Sequence, residues 1–318
     1  MGRIASLLLV VAALCACTAT DRRPETAEGA RASTPLAFVD LVDDFAAFQA
    51  QSEGQADAAR LEAFKAYFAT RLPGFYSGRS PFPGYDAAIL SALKSWPEQR
   101  TAIEAVRDRF AAALVPAQHS FEAEFGPMTD YPPILLVHSA GEFDGGTRDL
   151  PGGSRLMFGA DVIARIHGDR DIRPFFHHEL FHLLHGRTFS DCDALWCGLW
   201  NEGLATYVAH RLNPAASDDQ LLLTQPVPLR PAVEKDRRAA LCPIVAQLDS
   251  TSDEDIRPLF MGRASGGPLP PRYGYYVGYL VAAEIGKDRP LKTLAAMPAN
   301  EVRPLIEASL RRLGGCQA

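Results

Sequence analysis

Two histidines and the glutamate between them carry the clearest chemical signal in the sequence. His178 and His182 stand four residues apart, and Glu179 directly follows the first of them. In an α-helix, residues four apart lie one turn above the other on the same face, so both imidazoles can reach a single metal ion. Glu179 would lie beside that ion, where its carboxylate can accept a proton from water instead of binding the metal.

The segment around this pattern has the signals of a helix. Pro174 suits a first helical position, Gly186 suits a helix end, and apolar residues between them provide a packing face. A chain of this composition contains a His-Glu-x-x-His pattern by chance in roughly one case in a hundred. A second signal is therefore needed before the pattern can be interpreted as a metal site.

A glutamate further along the chain provides that second signal. Glu202 follows His182 by 20 residues and lies in the sequence Asn201-Glu202-Gly203, within the segment Leu199–Tyr207 that begins another predicted helix. A catalytic zinc ion commonly takes three protein ligands and leaves one position for water. We therefore predict that His178, His182 and Glu202 bind Zn²⁺ and that Glu179 is the general base.

The two motifs together resemble those of the gluzincin metallopeptidases. The spacing from His182 to Glu202 is similar to that of thermolysin-like enzymes, whereas the sequence Trp200-Asn201-Glu202-Gly203 is closer to the aminopeptidase N-like group. The resemblance implies an α+β, mainly α-helical fold with a small sheet next to the zinc helix. It also implies a zinc cofactor, a peptide or protein substrate, and hydrolysis by a water molecule that zinc activates.

The same resemblance assigns a role to a tyrosine near the C-terminus. Tyr275 matches a Tyr-x-x-Gly pattern in which the tyrosine of aminopeptidase N-like enzymes donates a hydrogen bond to the oxyanion of the tetrahedral intermediate. Such a donor meets charge that develops only in the transition state. Tyr273 and Tyr276 are alternatives for this role, and packing in the core is the alternative for all three.

Other interpretations of the histidine-rich segment have less support. A metzincin would need a glycine and a third histidine after His182, where His185 and Thr188 stand. His185 shares the zinc-facing side of the helix, either as a contact to the site or as a polar residue at a helix end. His177 is rotated away from the ligands.

Two further points leave the activity open. The chain has no Gly-x-Met-Glu-Asn sequence, with which aminopeptidases bind the free amino terminus of a substrate, so endopeptidase and exopeptidase action both remain possible. The alternative functions are a non-catalytic zinc-binding protein and an inactive peptidase fold. Glu179 argues against the first of these, because a storage site needs no general base.

The elements that must position these residues are mainly helices. Apolar stripes predict a helical N-terminal region over 36–128, beginning with a helix from Pro35 that carries Phe38 and Phe45. The catalytic region is predicted over 129–318.

Strands are predicted only at the start of the catalytic region. They are Ile134–His138 and Arg155–Ile166, the second running into a short helix, with a glycine-rich loop over Gly141–Ser154 between them. The strand edge at Arg155–Gly159 is predicted to hold an extended peptide.

The first residues form a predicted export signal. A positive start and a short apolar stretch lead to the sequence from Leu14 to Cys17, which resembles the bacterial lipobox. We predict a lipoprotein signal peptide over 1–16, lipidation of Cys17 and a flexible tether over 17–35. An ordinary secretory signal, cut near Ala19, is the alternative, and it also exports the protein.

Export determines the expected location and the state of the cysteines. The lipid would anchor the chain in the bacterial cell envelope, facing the periplasm, and Thr18 favours the outer membrane. An oxidising compartment permits disulfides, and four cysteines allow three pairings. Pairing Cys192 with Cys197 is the local choice, and it leaves Cys242 with Cys316.

Composition excludes one class of partner. The formal net charge is −6, which argues against a nucleic-acid-binding protein, since such a protein needs a basic face. The sequence does not define an oligomeric state.

Overall fold

Helices make up most of the structure, and one small sheet accompanies them. The computed structural model describes residues 35–189, 192–261 and 267–317. The predicted signal peptide, Cys17 and, except for Pro35, the predicted tether lie outside these ranges. The strands are β1 (Phe38–Asp40), β2 (Ile134–Val137), β3 (Gly145–Leu150) and β4 (Gly153–Gly159). The helices are α1 (Val42–Gln51), α2 (Asp57–Ala69), α3 (Tyr85–Phe125), α4 (Ala160–Ile166), α5 (Arg173–His185), α6 (Leu195–Leu212), α7 (Leu229–Lys235), α8 (Arg237–Gln247), α9 (Asp253–Phe260), α10 (Tyr273–Ile285), α11 (Leu291–Ala295) and α12 (Ala299–Gly314).

The sheet confirms the α+β class and most of the predicted strands. Its order is β1-β2-β4-β3, with β1, β2 and β4 parallel and β3 antiparallel to β4. All four residues of Ile134–Val137 are buried, as is typical of a parallel strand that is covered on both faces. The predicted strand at Arg155–Ile166 is observed as β4, and it leads into the short helix α4.

The prediction of a loop over Gly141–Ser154 is wrong in its middle part, because Gly145–Leu150 forms β3 and pairs with β4 in a hairpin. Apart from Leu150, the residues of β3 are polar or glycine, and all are at least partly exposed, so the strand has no apolar pattern to reveal it. β4 has partners on both sides. The predicted peptide-binding edge at Arg155–Gly159 is therefore also wrong, and the outer edge on this side of the sheet belongs to β3.

Aromatic side chains of the first helices fill the core beneath the sheet. Phe45 of α1 and Phe64 of α2 are fully buried and meet edge to face at 5.6 Å. The predicted helix from Pro35 starts too early, because Phe38 lies in β1, which pairs with β2. A three-residue strand is too short to show an alternating pattern, and its aromatic residue resembles the start of the helical stripe that follows.

Helix α3 is the longest element, and it continues through two prolines. Pro97 has no N–H to donate to the Leu93 carbonyl one turn earlier. Gln49 of α1 is buried, and its side-chain amide donates to that carbonyl oxygen at 3.1 Å. The unpaired carbonyl that the proline leaves is thereby satisfied, and α1 is fixed against α3.

A close crossing of two helices brings the later motifs together. A Cβ atom on Gly203 of α6 would lie 2.2 Å from the carbonyl carbon of Gly278 on α10. A Cβ atom on Gly278 would lie 2.4 Å from the Leu199 carbonyl oxygen. Only glycine permits this backbone approach. The glycine that follows Glu202 and the glycine of the Tyr-x-x-Gly pattern thus serve one contact.

Two disulfides connect the four cysteines of the body of the chain. Cys192 pairs with Cys197, and Cys242 pairs with Cys316, which holds the end of α12 against α8. This is the local pairing among the three that the sequence allowed. Within the described ranges, no helix combines the length and the apolar character needed to span a bilayer.

Candidate metal centre

Helix α5 is built to present two histidines on one side. It begins at Arg173 with Pro174 in its first turn, where a missing N–H costs nothing, and Gly186 is the residue at its C-cap. The other sides of the helix are mainly apolar and largely buried. Phe175 and Phe176 both pack edge to face against Phe158 of β4, at 5.6 and 5.3 Å. This packing fixes the rotation of the helix about its axis.

Helix α6 brings a carboxylate to the two imidazoles. Glu202 lies near the middle of α6 instead of at its start, because the helix begins at Leu195. Its Oε2 atom is 3.3 Å from Nε2 of His178 and 3.4 Å from Nε2 of His182. The two Nε2 atoms are 3.0 Å apart. Three donor atoms from two helices therefore converge on one point.

The spacing of these donor atoms fits a tetrahedrally bound ion. Ligand atoms about 2.0–2.1 Å from a tetrahedral zinc ion lie roughly 3.3 Å from one another, and the three observed separations are close to that value. In the part of the chain that the structure describes, His178, His182 and Glu202 form a group that could hold a metal ion.

The charges around this group favour a cation at its centre. Burial favours a neutral His182, but the negative charges of Glu202 and Glu179 outweigh burial and raise the pKa of His182 to about 9. Burial alone would raise the pKa of Glu202, yet the two imidazoles hold it well below its usual range. Burial lowers the pKa of His178. The group therefore attracts positive charge, although its two histidines are uncharged in their unprotonated form.

Glu179 is buried beside the ligands with an unsatisfied oxygen. Its side chain has an exposure of 6%, and Oε2 has no hydrogen-bond partner among the described residues. Burial, with the nearby charges of Asp144 and Glu202, raises the pKa of Glu179 to about 8. Burying a carboxyl oxygen without a hydrogen-bond partner costs free energy of folding, so its presence here indicates a functional reason.

Strand β3 passes directly over this glutamate. A Cβ atom on Gly145 would lie 3.0 Å from Oε1 of Glu179 and 2.6 Å from the Phe175 ring. Asp144, one residue earlier, is held by the His167 ring at 3.3 Å. The sequence interpretation missed Asp144 and Gly145, and the glycine pair at the start of β3 was their only signal.

Tyr275 is the predicted tyrosine that lies next to the ligands. Its ring stacks with that of His178 at 6.4 Å between centroids, and burial raises its pKa above the usual value for tyrosine. Tyr276 points elsewhere, since its hydroxyl donates to Glu234 at 2.6 Å and accepts from Arg230 at 3.2 Å. Between Tyr275 and Tyr276, the geometry favours Tyr275.

The two remaining histidines of α5 lie outside the donor group. His177 hydrogen-bonds to α3 and α6, away from the ligand group. His185 is 1% exposed and lies between the rings of Phe181 and Phe189, and its Nε2 has no hydrogen-bond partner among the described residues. It is the last residue of α5 and is not a member of the donor group.

Comparison with known proteins adds no assignment. Neither a protein family, nor a curated protein, nor a solved structure matches this chain. Interpretation of the site therefore depends on its own geometry and chemistry.

Proposed function

We propose that this protein is a zinc-dependent peptidase of the gluzincin type. The observation that carries the proposal is the convergence of three donor atoms from His178, His182 and Glu202 beside the buried carboxyl group of Glu179, whose Oε2 has no hydrogen-bond partner in the described ranges. A site that only stored metal would not need that carboxyl group. The set of two imidazoles and one carboxylate is also the one found in zinc peptidases that leave a coordination position open.

The donor set favours zinc over other cations. Imidazole nitrogen suits zinc and other transition metals, whereas calcium and magnesium prefer sites made only of oxygen. When bound here, zinc would supply a Lewis acid and would lower the pKa of water to about 7. His178, His182 and Glu202 would hold it, and their positions on two packed helices keep the donors fixed.

The residues around the donors have separate tasks. The Glu179 carboxylate would accept the proton of the attacking water at Oε2, its unpartnered oxygen, and pass it to the leaving amine. The Tyr275 hydroxyl would donate a hydrogen bond to the carbonyl oxygen as it becomes negative. The small size of Gly145 leaves room for Glu179 directly beneath β3.

The substrate would lie along β3. This strand is an edge of the sheet, and its first residue contacts Glu179. An extended peptide can pair with such an edge through main-chain hydrogen bonds, which places its carbonyl groups at regular intervals along the site. We propose β3, in place of β4, as the peptide-binding strand.

We further propose that the enzyme acts in the bacterial cell envelope. The support is the sequence from Leu14 to Cys17, which resembles a lipobox. If the proposal holds, Cys17→Ser will move the protein from the membrane fraction to the soluble fraction of cells that produce it.

The test of the enzymatic proposal separates metal binding from catalysis. Purified protein and the variant Glu179→Gln are compared by metal analysis and by digestion of a peptide library. We expect both to contain zinc and the variant to cleave about 10²- to 10⁴-fold more slowly, because it has lost the general base. Glu301→Gln, at an exposed glutamate of α12, is the matched control and should keep full activity.

Two results would contradict the proposal. Full activity in Glu179→Gln would remove the proposed mechanism. Zinc in the wild-type protein with no cleavage of any peptide would indicate the alternative, a non-catalytic zinc-binding protein.

A further inference from the structure

Arg272 stands at the start of α10 in a backbone conformation that is unusual for its residue type. Its φ angle is +69°, in the left-handed region that favours glycine. Hydrogen bonds hold it there, since its N–H donates to the Pro258 carbonyl at 3.1 Å and its carbonyl accepts from the Tyr275 N–H at 3.0 Å. Strained residues of this kind cluster at functional sites.

The side chain of Arg272 is directed to the candidate metal centre. The guanidinium carbon lies 4.4 Å from the centroid of the Tyr275 ring, the same ring that stacks with His178. Arg272 also acts on Asp144. Burial raises the pKa of the Asp144 carboxyl group, whereas the hydrogen bond from His167 and the positive charge of Arg272 lower it. Arg272 therefore contacts Tyr275 and acts electrostatically on Asp144.

Arg272 has no ion-pair partner in the described part of the chain, where no carboxylate oxygen lies within 4.0 Å of it. Arg148, whose charge acts on Glu179, differs in this respect, since it pairs with Glu142 at 3.1 Å. The Arg272 side chain also interacts with the Tyr275 hydroxyl, which opposes the effect of burial on the pKa of that tyrosine. The remaining N–H groups of the guanidinium form a fork that matches the two oxygens of a carboxylate.

We propose that Arg272 binds a carboxylate of the peptide substrate next to the scissile bond. This inference rests on the proposed peptidase function and names the class of peptide that the site prefers. Glu202 and Asp144 place negative charge at the site, so a peptide that carries a carboxylate is favoured by a cation beside them. The carboxylate is either the C-terminal α-carboxylate or the side chain of an aspartate or glutamate.

Matched peptides test the inference and distinguish the two sources. One set has a single sequence with a free or an amidated C-terminus. A second set is amidated and carries aspartate or asparagine, or glutamate or glutamine, on either side of the cleaved bond. The zinc-loaded wild-type protein is compared with Arg272→Gln. Arg187→Gln is the control, because Arg187 also stacks on a tyrosine, Tyr131, at 3.6 Å and donates only to backbone carbonyls of Thr129 and Asp130.

The expected result is a loss confined to one peptide class. Arg272→Gln should lower kcat/KM roughly 10- to 100-fold for the carboxylate peptides and leave it nearly unchanged for their amide partners, which is the effect of one charge-assisted hydrogen-bonded pair. The set that shows the loss identifies the source of the carboxylate. An equal loss on all peptides, or none on any, would overturn the inference.

A binding measurement keeps this result separate from the peptidase proposal. The same peptides are titrated into zinc-loaded Glu179→Gln, with and without Arg272→Gln. Weaker binding of the carboxylate peptides alone supports the inference even if the wild-type protein cleaves nothing, in which case only the peptidase proposal fails. Equal affinity for carboxylate and amide peptides would overturn it.

Discussion

His177 and His178 are neighbours on α5, yet their side chains lie in opposite environments. Both nitrogens of His177 have protein partners: Asn213 contacts Nδ1 at 2.7 Å, and the Ala117 carbonyl and Ser120 hydroxyl contact Nε2 at 3.1 and 2.8 Å. His178 directs Nε2 at Nε2 of His182 and at the Glu202 carboxylate, the two other members of the donor group.

The difference shows how the structure separates a structural histidine from a metal ligand. His177 connects α3, α5 and α6 through neutral hydrogen bonds, and nothing is missing from its surroundings. The group of His178, His182 and Glu202 brings three donor atoms together, an arrangement that needs a positive charge, either a proton on His182 or a bound cation. Burial does not distinguish the two histidines, because both are buried. What distinguishes them is the partner that each requires.

The largest expected effect comes from replacing His178. His178→Ala should reduce bound zinc from about one ion per chain to near zero, because two protein ligands do not retain the ion. Peptide hydrolysis should fall by about 10³-fold or more, since zinc supplies several kcal/mol to the reaction. Metal analysis and a peptide digest measure the two effects.

The matched control is His177→Gln, one residue away. It should keep its zinc and its activity, at some cost in stability. Loss of zinc in His177→Gln, or its retention in His178→Ala, would show that the ligand group has been assigned to the wrong face of α5.

Metal removal should produce the next largest effect. If zinc is present at about 1,000 times its Kd, it stabilises the folded state by about 4 kcal/mol, so a chelator should lower Tm by roughly 10 °C. Thermal unfolding with and without chelator measures this shift. His178→Ala should show almost no response to chelator, whereas His177→Gln should respond like the wild-type protein. If the Tm of the wild-type protein does not change with chelator, no metal is bound by the group of His178, His182 and Glu202.

The sequence predicts the site where the chemistry depends on local spacing. Helical periodicity alone places His178 and His182 on one face and turns His177 away from it. Glu202 needs one further assumption, that two neighbouring helices pack side by side. Helical periodicity does not predict which residues a turn or a sheet edge brings to the site. Gly145 and Arg272 reach the site in this way and were therefore not predicted.

The fold shows the same division between local and distant information. The buried apolar strand β2 and the helix boundaries at Pro174 and Gly186 follow from side-chain patterns. The edge strand β3 does not, because its polar residues gain their structure from pairing with β4. The crossing at Gly203 and Gly278 also depends on a contact between residues far apart in the sequence, although both glycines stand in recognisable motifs.

A smaller effect is expected from removing a hydrogen-bond partner of His177. Asn213→Ala removes the amide that donates to Nδ1 of His177 and to the Ala209 carbonyl, leaving a buried ring nitrogen without its partner. Such a loss costs about 1–3 kcal/mol. Denaturant unfolding measures the change in the free energy of unfolding. The zinc content should stay unchanged, and a loss of zinc would mean that His177 also controls the position of the ligands.

The smallest effect is expected at Ser120, and it tests an alternative chemistry. Ser120, His177 and Asn213 are arranged in the order of a nucleophile, a base and an orienting residue, as in some hydrolases. The hydrogen-bond directions oppose that role. Because Asn213 also donates to the Ala209 carbonyl, its amide nitrogen faces Nδ1 of His177, so the ring proton lies on Nε2.

A protonated Nε2 donates to its partners and does not accept the proton of a serine, so Ser120 would not be activated. The Ser120 hydroxyl also has backbone carbonyl partners of its own, at Pro116 and Ala117. Ser120→Ala should therefore change the free energy of unfolding by about 1 kcal/mol or less and leave the hydrolysis rate at the wild-type value. A large loss of hydrolysis with zinc still bound would move the catalytic centre from the metal group to the neighbouring histidine.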